Sequence, residues 1–138
     1  MAPHMAPPNT RALRTAFREH ALARDGHRCR VTGRSDDLEV HHITDRTLMP
    51  SGGYVLSNAI TLAREVHAEA ERFHASGGRD WANGLHPDDL YARIASSRDR
   101  AVADAWNLQA RQTEDRTRAL RTRWPAPPEL AEAAGPDG

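Results

Sequence analysis

The sequence predicts an α+β fold, in which a short hairpin and a following helix are flanked by an N-terminal helix and a long C-terminal helical region. Three observations carry this expectation. Apolar and polar residues alternate over 28–33 and again over 38–43, the period of a half-buried strand. Over 63–74, and from Leu90 through Ile94, Ala101, Ala105 and Leu108, apolar residues recur at helical spacing. Gly52-Gly53 and Gly77-Gly78 stand where a turn and a helix stop belong.

Taken in order, residues 1–8 are Pro-rich and are expected to form a disordered leader. Asn9 or Thr10 can cap a helix reaching about Arg24, with Leu13, Phe17 and Leu22 on its apolar face and Arg11, Arg14 and Arg18 on a basic one. Asp25-Gly26 ends it. Residues 28–33 are expected to form a short strand with a turn, 38–43 a second strand, 44–57 a long loop, and 59–62 a third short strand or an extended lead-in to the helix over 63–74. His86-Pro87-Asp88-Asp89 opens another helix, with proline at its first position and acids in its first turn. As one helix or a pair, it is expected to reach about Arg123, where Trp124-Pro125 breaks it. The expected organisation is a core with its N-terminal helix over 9–78, a helical extension over 79–124 and a disordered acidic tail over 125–138. Trp81, Trp106 and Trp124 are expected to be packing anchors.

Charge narrows the function. The 19 Arg and 19 acids cancel and there is no Lys, so no global field steers a polyanion. Residues 1–34 carry seven Arg against two acids, 35–85 four Arg against eight acids, and 86–124 eight Arg against six. An acidic centre suits a cation, and basic flanks suit a phosphate backbone. Cys29 is the one cysteine, which excludes an internal disulfide and a cysteine-only zinc site. No apolar run approaches the roughly 18–20 residues that span a bilayer, and none near the start reads as a signal peptide. The expectation is a cytoplasmic protein with no membrane partner.

The chemistry concentrates in LEVHHITDRTLMPSGGYVLSNAITLAREVHAEAERFH, residues 38–74. His67 and Glu71 are spaced i, i+4 and share a helix face, with His74 near it at i+7. His41 and His42 end a strand, where neighbours point to opposite faces. One of the pair can therefore bind a metal while the other faces a substrate. Imidazole and carboxylate suit a borderline divalent ion.

In the order His41-His42, Asn58 sixteen residues after His42, and His67 nine residues further on, these residues resemble the HNH endonuclease family. The resemblance covers about residues 24–74, and RDGHRC, LEVHHI, the Gly-Gly turn and NAITL agree with it in context. It implies a ββα-metal core of hairpin and helix. His41 and His67 would be metal ligands, and Glu71 a third, standing where some relatives carry His. His42 would be the general base that activates water, and Asn58 would hold the His42 loop by hydrogen bonds. His74 is an additional candidate ligand of lower rank. Arg46, Arg64 and Arg72 are candidate phosphate contacts, although Arg46 can instead pair with Asp45. Many relatives hold a structural zinc with two CxxC pairs. Here those positions are Cys29 and Thr32, then Ala63 and Val66, so no structural zinc is expected and packing of Cys29, Val31, Ile60 and Val66 must replace it.

The implied activity is hydrolysis of DNA phosphodiester bonds with one divalent ion (Mg, Mn, Ni or Zn) and a His base. RNA as substrate, a small-molecule substrate at the same centre, or a catalytically dead nucleic-acid-binding protein are the alternatives. The C-terminal helical region is a candidate homodimer surface.

Overall fold

A computed structural model of the chain describes residues 10–125 and 127. The leader expected over 1–8, and the tail expected over 125–138 apart from Pro125 and Pro127, lie outside the described residues. The described chain mixes helix and sheet. Helix α1 (Thr10–Arg24) precedes strand β1 (Leu38–His42), and three 3₁₀ turns (Arg46–Leu48, Pro50–Gly53, Leu56–Asn58) lead to strand β2 (Ala59–Ala63). Helices α2 (Arg64–Ala75), α3 (Pro87–Arg93) and α4 (Arg98–Arg123) follow. No helix among the described residues is long and apolar enough to cross a membrane.

β1 and β2 pair antiparallel, with Glu39 opposite Leu62, His41 opposite Ile60 and His42 opposite Ala59. Directly opposed residues share a face of the sheet, so this register sorts the side chains between two layers. On one face Val40 and Ala59 meet Phe17 and Ala21 of α1, with Tyr54 beside them. On the other, Ile60 and Leu62 join Ala70 of α2, Leu90 and Tyr91 of α3, and Ala101 and Ala105 of α4 in the main core. Covering both faces is what buries all five residues of AITLA in β2. The helical extension thus shares a core with the hairpin. Cys29 and Ile60 lie inside that core, and Val31 and Val66 pack against it, as a core without cysteine ligands requires.

One expected element differs in part, and one of two stated alternatives is realised. Residues 28–33 form the expected turn but no strand. Cys29 N–H donates to the Arg34 carbonyl (2.7 Å) and Gly33 N–H to the Cys29 carbonyl (2.8 Å), closing the segment on itself. Only Arg30 N–H reaches β2, donating to the Thr61 carbonyl at 3.0 Å, and one such bond makes no ladder. The helical stretch after Pro87 is a pair of helices, because Ala95 takes a positive φ of 52° and the Ser97 side chain accepts from Arg100 N–H to start α4 afresh. The three tryptophans do not anchor the core: Trp81, Trp106 and Trp124 are 44%, 56% and 63% exposed.

Asp25 pins α1 to the hairpin. Its buried carboxylate accepts from Thr61 N–H (2.9 Å) and from two nitrogens of Arg24 (2.8 and 2.9 Å). Burial alone would raise its pKa. Arg24 and the Thr61 N–H outweigh burial, so the carboxyl lies below its usual value. A depressed folded pKa contributes stability that is present above the unfolded pKa, about 3.9, and is lost as pH falls through the folded value. Thermal melts should therefore show Asp25→Asn less stable than the native chain at pH 7, with the gap narrowing below about pH 4. A gap that stays constant through the acid range would contradict this role.

Candidate functional site

The hairpin register turns Glu39 and His41 toward α2, where His67, Glu71 and His74 occupy successive turns of the facing side. α2 begins without a side-chain cap; Arg64 N–H donates instead to the Asp37 carbonyl at 2.8 Å. At its other end Gly78 N–H donates to the Phe73 carbonyl (2.8 Å) with φ +84°, a left-handed closure that favours glycine. The first contact ties the start of the helix to the residue before β1, and the second stops the helix.

His41 is 1% exposed, and its Nδ1 lies 3.2 Å from Glu71 Oε1 without the angle of a hydrogen bond. The His74 ring stacks on His41 with centroids 5.2 Å apart. His41, Glu71 and His74 bring one donor atom each within 4.8 Å of one another, a group that can hold a metal ion. The same Glu71 oxygen also lies 3.2 Å from His67 Nε2, and the His67 ring is 5.0 Å from that of His41. The structure thus gathers His41, Glu71 and the lower-ranked His74 as the donor group, with His67 at its edge.

The outer partners of these rings fix their tautomers. His74 Nε2–H donates to the His42 carbonyl at 3.0 Å, which accepts only, so the lone pair of a neutral His74 is on Nδ1. His67 Nδ1–H donates to Glu39 Oε1 at 2.6 Å, which leaves Nε2 toward Glu71. A carboxylate or carbonyl behind a ligating histidine is the usual support of a metal site. Burial pushes the His41 pKa down and keeps the ring neutral. The neighbouring His41 ring holds the Glu71 carboxyl down to about 2, against burial, which raises it. A neutral His41 and an ionised Glu71 are in the protonation states that a divalent cation requires of them. The orphaned Nδ1 and the crowding around one oxygen are what a cation would relieve, so the residues fit a metal.

His42 faces the other way. Its ring stacks on Phe17 (centroids 4.4 Å, 23°) and meets Tyr54 edge-on at 4.9 Å. Nε2 is buried with no hydrogen-bond partner. Burial first, then His41 and Arg46, push its pKa to about 4, so the ring is neutral at neutral pH.

Asn58 is fully buried and ties down the chain just after the histidine pair. Its Oδ1 accepts from Thr44 N–H (2.9 Å) and Tyr91 Oη–H (2.7 Å), while Nδ2 donates to the Thr44 and Gly53 carbonyls (3.1 and 3.2 Å). Thr44 Oγ1 and Tyr91 Oη are 2.6 Å apart and close the network. Gly53 fits because it lacks a side chain: a Cβ there would meet Asn58 Nδ2 at 2.8 Å.

Among the candidate phosphate contacts, Arg46 and Arg64 are exposed with no ion pair among the described residues, and Asp45 binds Thr47 instead of Arg46. Arg72 is engaged by Asp80 (2.9 Å) and Glu69 (3.2 Å). A cleft of about 570 Å³ opens beside His74, between Leu48, Phe73, His86 and Arg98. Sequence reasoning missed Glu39, Tyr91 and Arg98. Glu39 had a signal, since a carboxylate two residues before His41 on a strand shares its face. Tyr91 and Arg98 had none, because they arrive from helices distant in sequence. No protein-family model, curated protein or solved structure matches this chain.

Proposed function

We propose that the protein is a metal-dependent endonuclease of the HNH type that hydrolyses DNA phosphodiester bonds. The observation that carries this reading is the convergence of His41, Glu71 and His74 between a hairpin and the helix that follows it, with the strand-end neighbour His42 turned to the opposite face. His41, Glu71 and His74 would hold the ion, with His67 as a further donor steadied by Glu39. When bound, a divalent ion supplies charge stabilisation to the phosphate and to the leaving oxygen. An imidazole-rich set with one carboxylate suits Zn, Ni or Mn better than Mg, which prefers oxygen ligands.

His42 is the base that takes a proton from water. A buried imidazole nitrogen without a partner is costly, and such exceptions often serve a catalytic end. Asn58 is a positioning residue: by holding both backbone groups of Thr44 it sets where β1 ends, and with it the His42 ring. The exposed Arg46 and Arg64 are the residues offered to the phosphate backbone, and Arg72 is less free to join them.

Incubation with supercoiled plasmid tests this reading. Cleavage is expected with Zn, Ni or Mn, and none with EDTA. An intact plasmid under every metal, Mg included, would sink the nuclease reading, and cleavage of RNA alone in a parallel incubation would transfer it to the other nucleic acid.

A further inference from the structure

α4 is 26 residues long, about 39 Å at 1.5 Å per residue. Its first half belongs to the body of the molecule: Ala101 and Ala105 are buried, Ser57 donates to Asp104 (2.6 Å) and Ser51 to Gln112 (2.5 Å). Beyond Gln112, no hydrogen bond or ion pair joins the helix to the rest of the described residues. The side of α4 away from the core carries Trp106, Ala110, Thr113, Thr117 and Leu120, and Trp124 caps its C-terminal end; all of them are exposed. Their spacing alternates four and three residues without a break, the period that keeps one seam of a helix facing a partner helix. Thr113 folds its hydroxyl back onto the Gln109 carbonyl (3.0 Å), which satisfies the one polar group of that side chain within its own helix.

We propose that this seam is a homodimer interface in which α4 packs antiparallel against α4 of a second copy of the chain. The seam reads almost the same in both directions: Trp, Ala, Thr, then Thr, Leu, Trp. A two-fold interface needs that self-complementarity, because each residue must meet its counterpart twice. Antiparallel pairing sets Trp106 against Trp124 of the second copy, Thr113 against Thr117, and the small Ala110 against the larger Leu120. The two tryptophans, 56% and 63% exposed, contribute most of the area, since an aromatic side chain can bury roughly 150–250 Å². The contact is of the small, reversible kind, below about 1,200 Å² in total. Glu114 is exposed beside the seam near its centre, and the two-fold sets it beside its own copy. Like charges there oppose association, so added salt should strengthen the dimer. A nucleic-acid strand lying on the same Arg-rich helix would be released by salt, so the sign of the salt effect separates the two occupants.

Sedimentation of the full chain over a wide concentration range tests the proposal. The native protein should pass from monomer to dimer as concentration rises, and more readily at high salt. Thr113→Glu should stay monomeric throughout with an unchanged melting curve, since the side chain it replaces is exposed. Under mild oxidation, a mixture of Ala110→Cys and Leu120→Cys chains should form a mixed disulfide that neither forms alone; Cys29 is buried and does not compete. A native chain that is monomeric at every concentration and salt, a dimer that dissociates with salt, or Cys variants that each cross-link alone would overturn it. None of these readouts depends on the metal centre.

Discussion

His42→Ala is expected to keep the fold and the metal affinity of the native protein and to lose about 10²- to 10⁴-fold in plasmid cleavage, the usual contribution of a positioned general base. That factor corresponds to about 3–5.5 kcal/mol of transition-state stabilisation. The two halves of the expectation come from opposite faces of the hairpin. His41 faces α2 and the donor group, whereas His42 lies against Phe17 and Tyr54. Removing the His42 ring therefore takes nothing from Glu71 or His74. It does remove a half-buried stacked ring, which costs about 1–2 kcal/mol and stays short of unfolding. Cleavage kinetics and metal affinity measured on the same preparation decide the matter. Full activity in the variant would remove His42 from the chemistry, and loss of metal binding would mean that the pair does not divide its labour in this way.

Asn58→Ala is expected to destabilise the fold by about 3–5 kcal/mol, because it leaves several buried backbone groups unpaired at about 1–3 kcal/mol each, not fully additive. The groups are Thr44 N–H, the Thr44 carbonyl and the Gly53 carbonyl. Tyr91 keeps Thr44 Oγ1 as a partner. Against a domain stability of about 5–15 kcal/mol such a loss is severe. Asn58→Asp should fare little better. It keeps the acceptor for Thr44 N–H but turns a carboxylate oxygen toward the two carbonyls that Nδ2 now serves. Urea midpoints for both variants measure this, and a loss below about 1 kcal/mol for alanine would show that water replaces the side chain.

The hairpin and α2 were legible because their signals are local. Val40 and His42 alternate with Glu39 and His41, the period changes after Ala63, and Gly77-Gly78 closes the helix. The strand expected over 28–33 is absent for a physical reason. Cys29 and Val31 have the spacing of a strand, but only Arg30 N–H reaches β2, and strand character needs a partner as well as a pattern. Glu71 was legible from its spacing to His67. The inclusion of His74 depends on where the last turn of α2 lies against the end of β1, set by the contact between His74 and the His42 carbonyl. Tyr91 reaches Asn58 from 33 residues away, a distance at which no spacing rule operates. The tryptophans point the other way: their apolar character suggested a core, but Trp106 lies on the outer side of α4 and Trp124 is exposed at its end.

Calorimetric titration of Zn, Ni or Mn into chelator-treated protein tests the metal centre most directly, with native chain and Glu71→Gln compared. Glu71 is an exposed helix residue, so the variant should fold as the native chain does. The native chain should take up one ion per molecule, and Glu71→Gln should bind it at least about tenfold more weakly, since even supporting residues of such sites are worth that much. No uptake of any of the three ions, or equal affinity in the two proteins, would contradict a metal centre at His41, Glu71 and His74.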